Sequence, residues 1–193
     1  MRTDYVQRLG LLKSGKPRLV IKRSLNGIHV QVITFEAGVP SAGDRTKVDV
    51  FSRALKKRGW KGHCGNVSAA YLTGYLAGLS ALKQGIKEAN VDIGLQMSVK
   101  GSALFAVAAG ARDAGLSVPI GKEIVPSTDR IKGRHVADYA QKIKGTDKYQ
   151  KQFSSYIKNQ LAPEDLPKHF DEIKEKISNE FGVATKKVAK AAE

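Results

Sequence analysis

Apolar and polar residues alternate along two segments near the N-terminus, residues 18–24 and 28–36. A period of two is typical of strands with one buried face, so both segments are predicted strands. The dipeptide Asn26-Gly27 between them favours a type I′ hairpin turn. A third strand is predicted at residues 45–51, which makes a three-stranded unit near the start of the chain.

The segment before the first strand has helical spacing. Tyr5, Leu9 and Leu12 recur at i, i+4 and i+7, and Thr3 and Asp4 are start signals for a helix. Gly15 is expected to end this helix, since glycine readily adopts the left-handed conformation that closes many helices. The sequence therefore predicts a short N-terminal helix that leads into the first strand.

Residues 10–17, GLLKSGKP, have the G-x-x-x-x-G-K spacing of a nucleotide-binding phosphate loop. In that loop a Ser or Thr after the lysine holds Mg²⁺, and the motif runs from a strand into a helix. Here Pro17 occupies the hydroxyl position, and the predicted order is helix and then strand. We therefore reject an NTPase site, which leaves Lys16 available for the phosphates of another molecule.

The middle of the chain alternates between helical and strand-like patterns. Ala70, Gly74, Gly78 and Ala81 form a row of small residues on the longest predicted helix, and we expect this row to pack closely against the sheet. The resulting β-β-β-α-β-α order indicates an α/β fold, a mixed β-sheet with packed helices. The further predicted elements are a loop at 38–44, a helix at 52–58, a long helix at 67–84 with Asn66 as N-cap, a buried strand at 90–97 and a helix at 103–114 capped by Ser102.

Beyond residue 118 the pattern changes to polar helices, which we interpret as a helical C-terminal extension. Helices are predicted at 135–143, 148–161 and 167–181. The last of them places Phe170, Ile173, Ile177 and Phe181 on one apolar stripe. The residues from 184 onward are expected to be frayed.

The charge is unusual, whereas the 41% hydrophobic content is ordinary for a globular protein. The 33 Lys and Arg residues against 18 Asp and Glu give a net charge of +15 and a pI near 9.9. Residues 1–66 hold 14 basic and 4 acidic residues, so most of the excess lies in the first third. A protein with clustered cations is expected to bind nucleic acid, with an acidic membrane surface as the competing partner.

Composition argues against several other classes. Cys64 is the single cysteine, so no intrachain disulfide can form and a reducing compartment is expected. The N-terminus, MRTDYVQRL, lacks the apolar run of a secretory signal. The longest uncharged segment, residues 64–82, contains polar residues and glycines, so we interpret it as a buried helix and not as a membrane span.

Enzymatic interpretations are weaker. His63 and Cys64 are adjacent, but catalytic partners are usually distant in sequence, and no signature surrounds these two. The four histidines and one cysteine have no metal-ligand spacing. The alternative hypothesis is a metal-dependent nuclease on an RNase-H-like sheet, although a cap or a hydrogen-bonded core role suits one of its carboxylates, Asp92, better. Its metal ligands would come from Asp44, Asp49, Asp92 and Asp113.

Basic residues form two clusters in the first third of the chain, with few acids nearby in sequence. Such clusters could neutralise roughly 6–10 phosphates, which gives strong and salt-sensitive binding. Tyr5 and Trp60 lie near them and could stack on unpaired bases, although core packing explains each equally well. The clusters consist of Arg8, Lys13, Lys16, Arg18, Lys22 and Arg23, and of Arg45, Lys47, Arg53, Lys56, Lys57, Arg58 and Lys61.

Long contiguous stretches of the chain carry a family resemblance: TDYVQRLGLLKSGKPRLVIKRS, GWKG, GNVSAAYLTGYLAG, VDIGL, KGSALFAVAAGARDAGL, PSTDRIKGRHVADYA and PEDLPKHFDEIKEKI. They resemble the L-eighteen family of large-subunit ribosomal proteins, archaeal and eukaryotic type. The resemblance runs from Thr3 to about Phe181. Members often carry an arginine-rich arm before TDY, where this chain has only Met1 and Arg2.

The resemblance implies a structural constituent of the large ribosomal subunit in the cytoplasm, with no enzymatic activity, cofactor, metal, membrane partner or small-molecule substrate. It implies binding of 5S rRNA, attachment of this RNA in the central protuberance, and contacts to 23S rRNA and neighbouring ribosomal proteins. The implied RNA-binding residues are the first cluster with Arg2 and Tyr5, and more weakly Arg130, Lys132 and Arg134. The chain then divides into an N-terminal basic helical segment (1–16), an α/β RNA-binding core (17–118) and the helical C-terminal extension (119–193).

Overall fold

Four strands form one mixed sheet in the order β3-β2-β1-β4. The computed structural model describes residues 3–38 and 43–182, so residues 39–42 of the predicted 38–44 loop lie outside the described residues. β1 pairs antiparallel with β2 and parallel with β4, and β2 pairs antiparallel with β3. The predicted mixed sheet is therefore confirmed. The strands are β1 (Arg18–Arg23), β2 (Ile28–Glu36), β3 (Gly43–Phe51) and β4 (Asn90–Asp92).

Helices of the core cover one face of this sheet. The alternation predicted for the second strand places Ile28, Val30 and Val32 in the core, each at most 1% exposed. Burial of an aliphatic side chain of this size contributes about 1.5–3 kcal/mol. α3 packs against β2 and β3, and α4 packs against β1. The helices of this part are α1 (Tyr5–Lys13), α2 (Ala54–Lys57), α3 (Val67–Lys83) and α4 (Ala103–Asp113).

Both long core helices begin at predicted N-cap residues. The Asn66 side chain accepts a hydrogen bond from the Ala69 amide (2.7 Å), which satisfies one amide at the start of α3. Ser102 stands at the N-cap position of α4, but its hydroxyl makes no cap hydrogen bond, so the capping role predicted for that side chain is wrong. The uncharged segment at 64–82 contributes most of the buried α3, as predicted. Among the described helices, none is long and apolar enough to cross a membrane.

Glycines let α3 and α4 approach each other more closely than side chains would allow. A Cβ atom on Gly74 would lie 2.0 Å from the Val107 carbonyl oxygen, and one on Gly110 would lie 2.1 Å from the Tyr71 carbonyl oxygen. Gly78 is also pressed against α4. The prediction that this row packs against the sheet is therefore wrong for Gly74 and Gly78, which face the neighbouring helix.

The β1–β2 connection differs from the predicted type I′ turn. That turn needs a positive φ at both central residues, and neither Asn26 nor Gly27 has one. The Ser24 amide donates to the Gly27 carbonyl over 2.9 Å, so the turn is centred on Leu25 and Asn26. Gly27 is required for close approach, since a Cβ atom there would lie 2.8 Å from the Phe51 ring.

The fourth strand is shorter than predicted. The strand expected at 90–97 ends at Asp92, because Gly94 turns the chain with a φ of 56°. The Asp92 carboxylate accepts a hydrogen bond from the Gly94 amide (3.0 Å), which stabilises this turn. Beyond it Leu95 and Met97 are 62% and 82% exposed, so this part of the prediction is wrong.

The N-terminal helix α1 begins and ends at the predicted signals. Asp4 accepts hydrogen bonds from two amides of the first turn, and Gly15 has a φ of 66°. No residue of α1 is buried, and Tyr5 and Leu9 of its apolar stripe are 73% and 54% exposed. α1 is therefore a surface helix whose apolar side is uncovered in the protein alone.

The C-terminal extension is helical, as predicted, but the helix expected at 148–161 is two helices. Phe153 leaves the helical conformation (φ −102°, ψ 19°) at the break and buries its ring. The predicted stripe is confirmed, since Phe170, Ile173 and Ile177 are each at most 2% exposed and Phe181 packs against the core partly buried. The tail predicted to be frayed lies outside the described residues. The described helices are α5 (Thr128–Lys132), α6 (Arg134–Ile143), α7 (Asp147–Gln152), α8 (Ser154–Lys158) and α9 (Leu166–Glu180).

Candidate RNA-binding surface

Several of the predicted cations and acids lie on the outer face of the sheet, opposite α3 and α4. Lys22 pairs with His29, and His29 pairs with Phe51, so these three residues form one row across the outer face near the β1–β2 hairpin. Beneath α1 a cavity of about 510 Å³ runs along β1 from Arg18 to Lys22. Its two ends differ, because Arg18 is buried and Lys22 is exposed.

Arg18 is the centre of an ion-pair network beneath α1. Its guanidinium donates to Asp92 Oδ2 (2.8 Å) and to Asp44 Oδ2 (2.6 Å). Arg8 of α1 donates to the same Asp44 oxygen (2.8 Å). The Arg18 side chain is only 6% exposed. Two arginines and two aspartates therefore compensate each other's charges and join α1, β1, β3 and β4.

Arg8 and Arg18, which the sequence predicts as RNA-binding residues, have a structural role in this network. The sequence shows few acids near Arg8 and Arg18, but the fold supplies Asp92 from 74 residues beyond Arg18. Removing one partner of a buried ion pair leaves an uncompensated charge and costs about 3–5 kcal/mol. Arg18 thus stabilises the sheet, and a direct contact of either arginine with RNA stays a prediction.

Further predicted cations form ion pairs closer to the surface. An exposed pair contributes only about 0–1 kcal/mol, so a phosphate group could compete for these cations at little cost in stability. Arg58 makes the most specific pair, with two hydrogen bonds to Glu180 of α9 that hold the pKa of this carboxyl below its usual value. The pairs are Lys16–Glu88 (2.7 Å), Arg45–Glu36 (3.5 Å), Lys47–Glu36 (3.0 Å), Arg58–Glu180 (2.6 Å), Lys132–Asp171 (2.9 Å) and Arg134–Asp129 (3.4 Å).

The other predicted cations have no ion-pair partner within residues 3–38 and 43–182, and all of them are exposed. An exposed cation without a carboxylate partner can bind a phosphate without first breaking an ion pair. Arg2 lies outside the described residues. The exposed cations of this kind are Lys13, Lys22, Arg23, Arg53, Lys56, Lys57, Lys61 and Arg130.

Five of these unpaired cations lie at the hairpin end of the sheet. The Arg53 guanidinium stacks on the Phe51 ring, 5.4 Å from its centre, and Phe51 shares the row of Lys22. Arg53 also lines a second cavity together with Asn26 of the hairpin turn. We call this group the hairpin-end cluster: Lys22, Arg23, Arg53, Lys56 and Lys61.

A glycine-rich loop, residues 59–66, holds Lys61 against the C-terminal extension. The Trp60 ring stacks on His169 of α9, with the ring centres 5.2 Å apart. The Lys61 amide donates to His169 Nε2 (3.1 Å), and Asn159 of the extension donates to the Lys61 carbonyl (2.8 Å). Burial lowers the pKa of His169, which favours the neutral ring that can accept this bond. The extension therefore fixes the backbone that carries a predicted cation.

The structure distinguishes the two aromatic candidates, Tyr5 and Trp60, and adds one cation that the sequence does not predict. Trp60 is 2% exposed and belongs to the core, whereas Tyr5 is exposed and available to stack on a base. Lys158 of α8 was not predicted, yet it lines the same cavity as Arg53. No local signal identifies Lys158, because it lies in an extension of mixed charge and reaches the cluster only through the fold.

The four carboxylates of the nuclease hypothesis are engaged separately. Asp44 and Asp92 bind the same arginine, Asp49 pairs with a histidine, and Asp113 accepts a hydrogen bond from a tyrosine. The hydrogen-bonded core role expected for Asp92 is confirmed. In the part of the chain that the structure describes, no three His, Cys, Asp or Glu side chains are grouped so that they could hold a metal ion.

The adjacent His63 and Cys64 do not have the arrangement of a catalytic pair. His63 Nδ1 accepts a hydrogen bond from the Gly65 amide (3.0 Å). Cys64 is 4% exposed, and burial raises the pKa of its thiol although Lys56 and Arg53 act in the opposite direction. A raised thiol pKa disfavours the nucleophilic thiolate.

The fold and this surface define a class of protein. A chain of net charge +15, with a mixed α/β core and a group of unpaired cations at one end of its sheet, has the charge distribution of a structural protein that binds nucleic acid.

Comparison with known proteins identifies the family within this class. The chain is 50% identical over 179 residues to the large ribosomal subunit protein uL18 of Methanococcus maripaludis, which covers 92% of this chain and 91% of that protein. The chain therefore belongs to the uL18 family of large ribosomal subunit proteins. This identity confirms the resemblance found in the sequence. No family model matches the chain.

Proposed function

We propose that this protein is a structural, non-enzymatic constituent of the large ribosomal subunit in the cytoplasm that binds 5S rRNA. In this proposal it attaches the 5S rRNA to the subunit in the central protuberance and contacts 23S rRNA and neighbouring ribosomal proteins. Membership of the uL18 family supports the ribosomal role. The role requires no cofactor, metal or small-molecule substrate.

The hairpin-end cluster is the observation that carries the RNA-binding proposal. Its five cations are exposed and have no ion-pair partner in the described part of the chain. Each can replace a condensed counterion on a phosphate, and the release of these counterions favours binding at low salt. The arginine stacked on Phe51 presents a planar fork that suits two phosphate oxygens.

Other predicted residues surround this centre in the proposal. Lys13 and Tyr5 extend the surface along α1, and Lys57 extends it along α2. The ion-paired cations Arg8, Lys16, Arg45, Lys47 and Arg58 would exchange a carboxylate for a phosphate when RNA binds. Arg130, Lys132 and Arg134 form a more distant contact on the extension. We propose the division into residues 1–16, 17–118 and 119–193 as the functional units.

A filter-binding titration with 5S rRNA tests the proposal. We expect preferential binding of 5S rRNA over an unrelated structured RNA of equal length, with an affinity that falls steeply as salt rises from 50 to 200 mM (about 10³-fold or more for 6–10 phosphate contacts). Equal affinity for both RNAs would reject the 5S-specific role. A weak salt dependence would reject phosphate binding by the cluster.

A further inference from the structure

A cavity of about 540 Å³ lies between the α/β core and the C-terminal extension. Its wall consists of α2, the 59–66 loop and α8, with Asn26 of the hairpin turn at its edge. The core contributes Arg53, Lys56 and Lys61 to the wall, and the extension contributes Lys158. The cavity therefore brings together cations from two parts of the chain.

Among the residues that the structure describes, no carboxylate lines this cavity. None of the four cations has an ion-pair partner in the described ranges of the chain. Like charges around one cavity repel each other, so the arrangement is unfavourable until an anion occupies it. The charges of Lys56 and Arg53 also reach Cys64 in the wall, where they oppose the effect of burial on the pKa of its thiol.

The wall of the cavity is fixed by close contacts of the loop. A Cβ atom on Gly62 would lie 2.7 Å from the Trp60 ring, and one on Gly65 would lie 2.9 Å from the Leu25 carbonyl oxygen. Only glycine allows the loop to pass this closely between its neighbours. The cations are therefore held on a preformed wall, which lowers the entropy cost of binding a ligand.

The charge and position of the cavity point to its occupant. A phosphodiester carries one negative charge, so four cations suit a ligand with several phosphates in succession. Three of the four cations belong to the hairpin-end cluster, which makes the cavity continuous with the proposed RNA surface. Neutral donors at Asn26 and Ser155 can add hydrogen bonds to phosphate oxygens.

We propose that this cavity binds consecutive backbone phosphates of 5S rRNA and so joins the C-terminal extension to the RNA through Lys158. The inference rests on the proposed function and adds a residue, a cavity and a role for the extension. An RNA strand in the cavity neutralises the repulsion between α2 and α8. Bound RNA therefore stabilises the contact between extension and core.

The test compares two single substitutions of the full-length protein in 5S rRNA titrations at several salt concentrations. Lys158→Ala is expected to weaken binding roughly threefold to tenfold and to lower the slope of log affinity against log salt by about 1. Lys151→Ala is the matched control, because Lys151 is exposed on the neighbouring α7 and lies outside the cavity wall. It is expected to leave both quantities unchanged, and Lys158→Arg is expected to retain most of the affinity.

Several outcomes would overturn the inference. If Lys158→Ala binds like Lys151→Ala, with melting temperatures equal to that of the unmodified protein, the cavity does not bind the RNA. The proposed function survives that result if substitution of Lys22 and Arg23 still weakens binding. If tripolyphosphate binds the unmodified protein at micromolar concentration, fails to bind Lys158→Ala and does not compete with 5S rRNA, the occupant is a small polyphosphate and not RNA.

Discussion

Arg18 and Lys22 lie on the same outer face of β1, four residues apart, and have opposite surroundings. Arg18 is buried between Asp44 and Asp92, and its charge is compensated inside the protein. Lys22 is exposed near the hairpin and has no ion-pair partner among the described residues. The same strand thus uses one cation to hold the sheet together and offers another to a ligand.

The difference shows that a cluster of cations in a sequence is not yet a binding surface. Acids from distant parts of the chain neutralise some members of the cluster, and only the remainder is available to a polyanion. Exposure alone does not make this division, because Lys16 and Arg134 are exposed and ion-paired, and the unpaired predicted cations are all exposed too. Stability and RNA affinity should therefore respond to different substitutions.

The largest expected effect is on stability at the buried end of β1. Arg18→Ala leaves Asp92 buried without its partner, so the free energy of unfolding should fall by about 3–5 kcal/mol. Urea denaturation measures this change. Lys22→Ala should stay within about 0.5 kcal/mol of the unmodified protein, as is usual for exposed positions.

A double variant sharpens this result. Arg18→Met with Asp92→Asn removes both charges and keeps an oxygen that can accept from the Gly94 amide. It should recover much of the stability that Arg18→Ala loses, since replacement of both partners is often nearly neutral. If Arg18→Ala is as stable as the unmodified protein, the network does not stabilise the fold.

The second largest expected effect is on RNA affinity, at the hairpin end of β1. Substitution of Lys22 and Arg23 by Ala should weaken 5S rRNA binding by roughly tenfold or more and lower the salt slope by about 2, because two phosphate contacts are lost. Filter binding measures both quantities. Unchanged affinity in a variant that melts normally would remove the hairpin-end cluster from the interface.

A smaller effect of opposite sign is expected from Asp44→Asn. This change removes the carboxylate that binds Arg8, while Arg18 keeps Asp92. One more arginine then becomes available to phosphates, so 5S rRNA affinity should rise about twofold to fivefold at low salt. The same titration measures it. A loss of affinity would instead mean that Arg8 needs Asp44 to be held in place for RNA.

The smallest effect is a pH dependence of the loop that carries Lys61. Burial holds the pKa of His169 below its ordinary value of 6.5, although Glu172 opposes this shift. The unfolded chain therefore binds the proton more readily, so the stability from this residue is present above about pH 6.5 and is lost as the pH falls through the lower folded pKa. Melting temperatures between pH 7.5 and 5.5 measure the decline. His169→Gln should reduce it, leaving the contribution of His135, whose pKa burial also lowers.

Local signals in the sequence predicted much of the fold. Asp4, Asn66 and Gly15 act on their neighbours within a turn, so their roles follow from residue type alone. The role of Gly27 was predicted wrongly because glycine is required there by the close approach of Phe51, which is distant in sequence on β3. The small residues of α3 were misread for the same reason, since sequence spacing does not show which partner they face.

The candidate surface was predictable as a region but not residue by residue. Net charge and cluster position indicate which third of the chain meets a polyanion. The pairing of Arg18 with Asp92, and of Arg58 with Glu180, depends on contacts across 74 and 122 residues. Lys158 lies beside this surface only because the fold brings α8 to the same cavity as α2.

The stacking of Trp60 on His169 also gives the protein an internal optical reporter. Trp60 is the single tryptophan of the chain, and its ring lies between the core loop and α9. Its fluorescence therefore comes from one place, the contact between core and extension. A red shift of its emission would mark release of the extension, and the time course of that shift after mixing with rRNA would follow this contact during assembly without any added label.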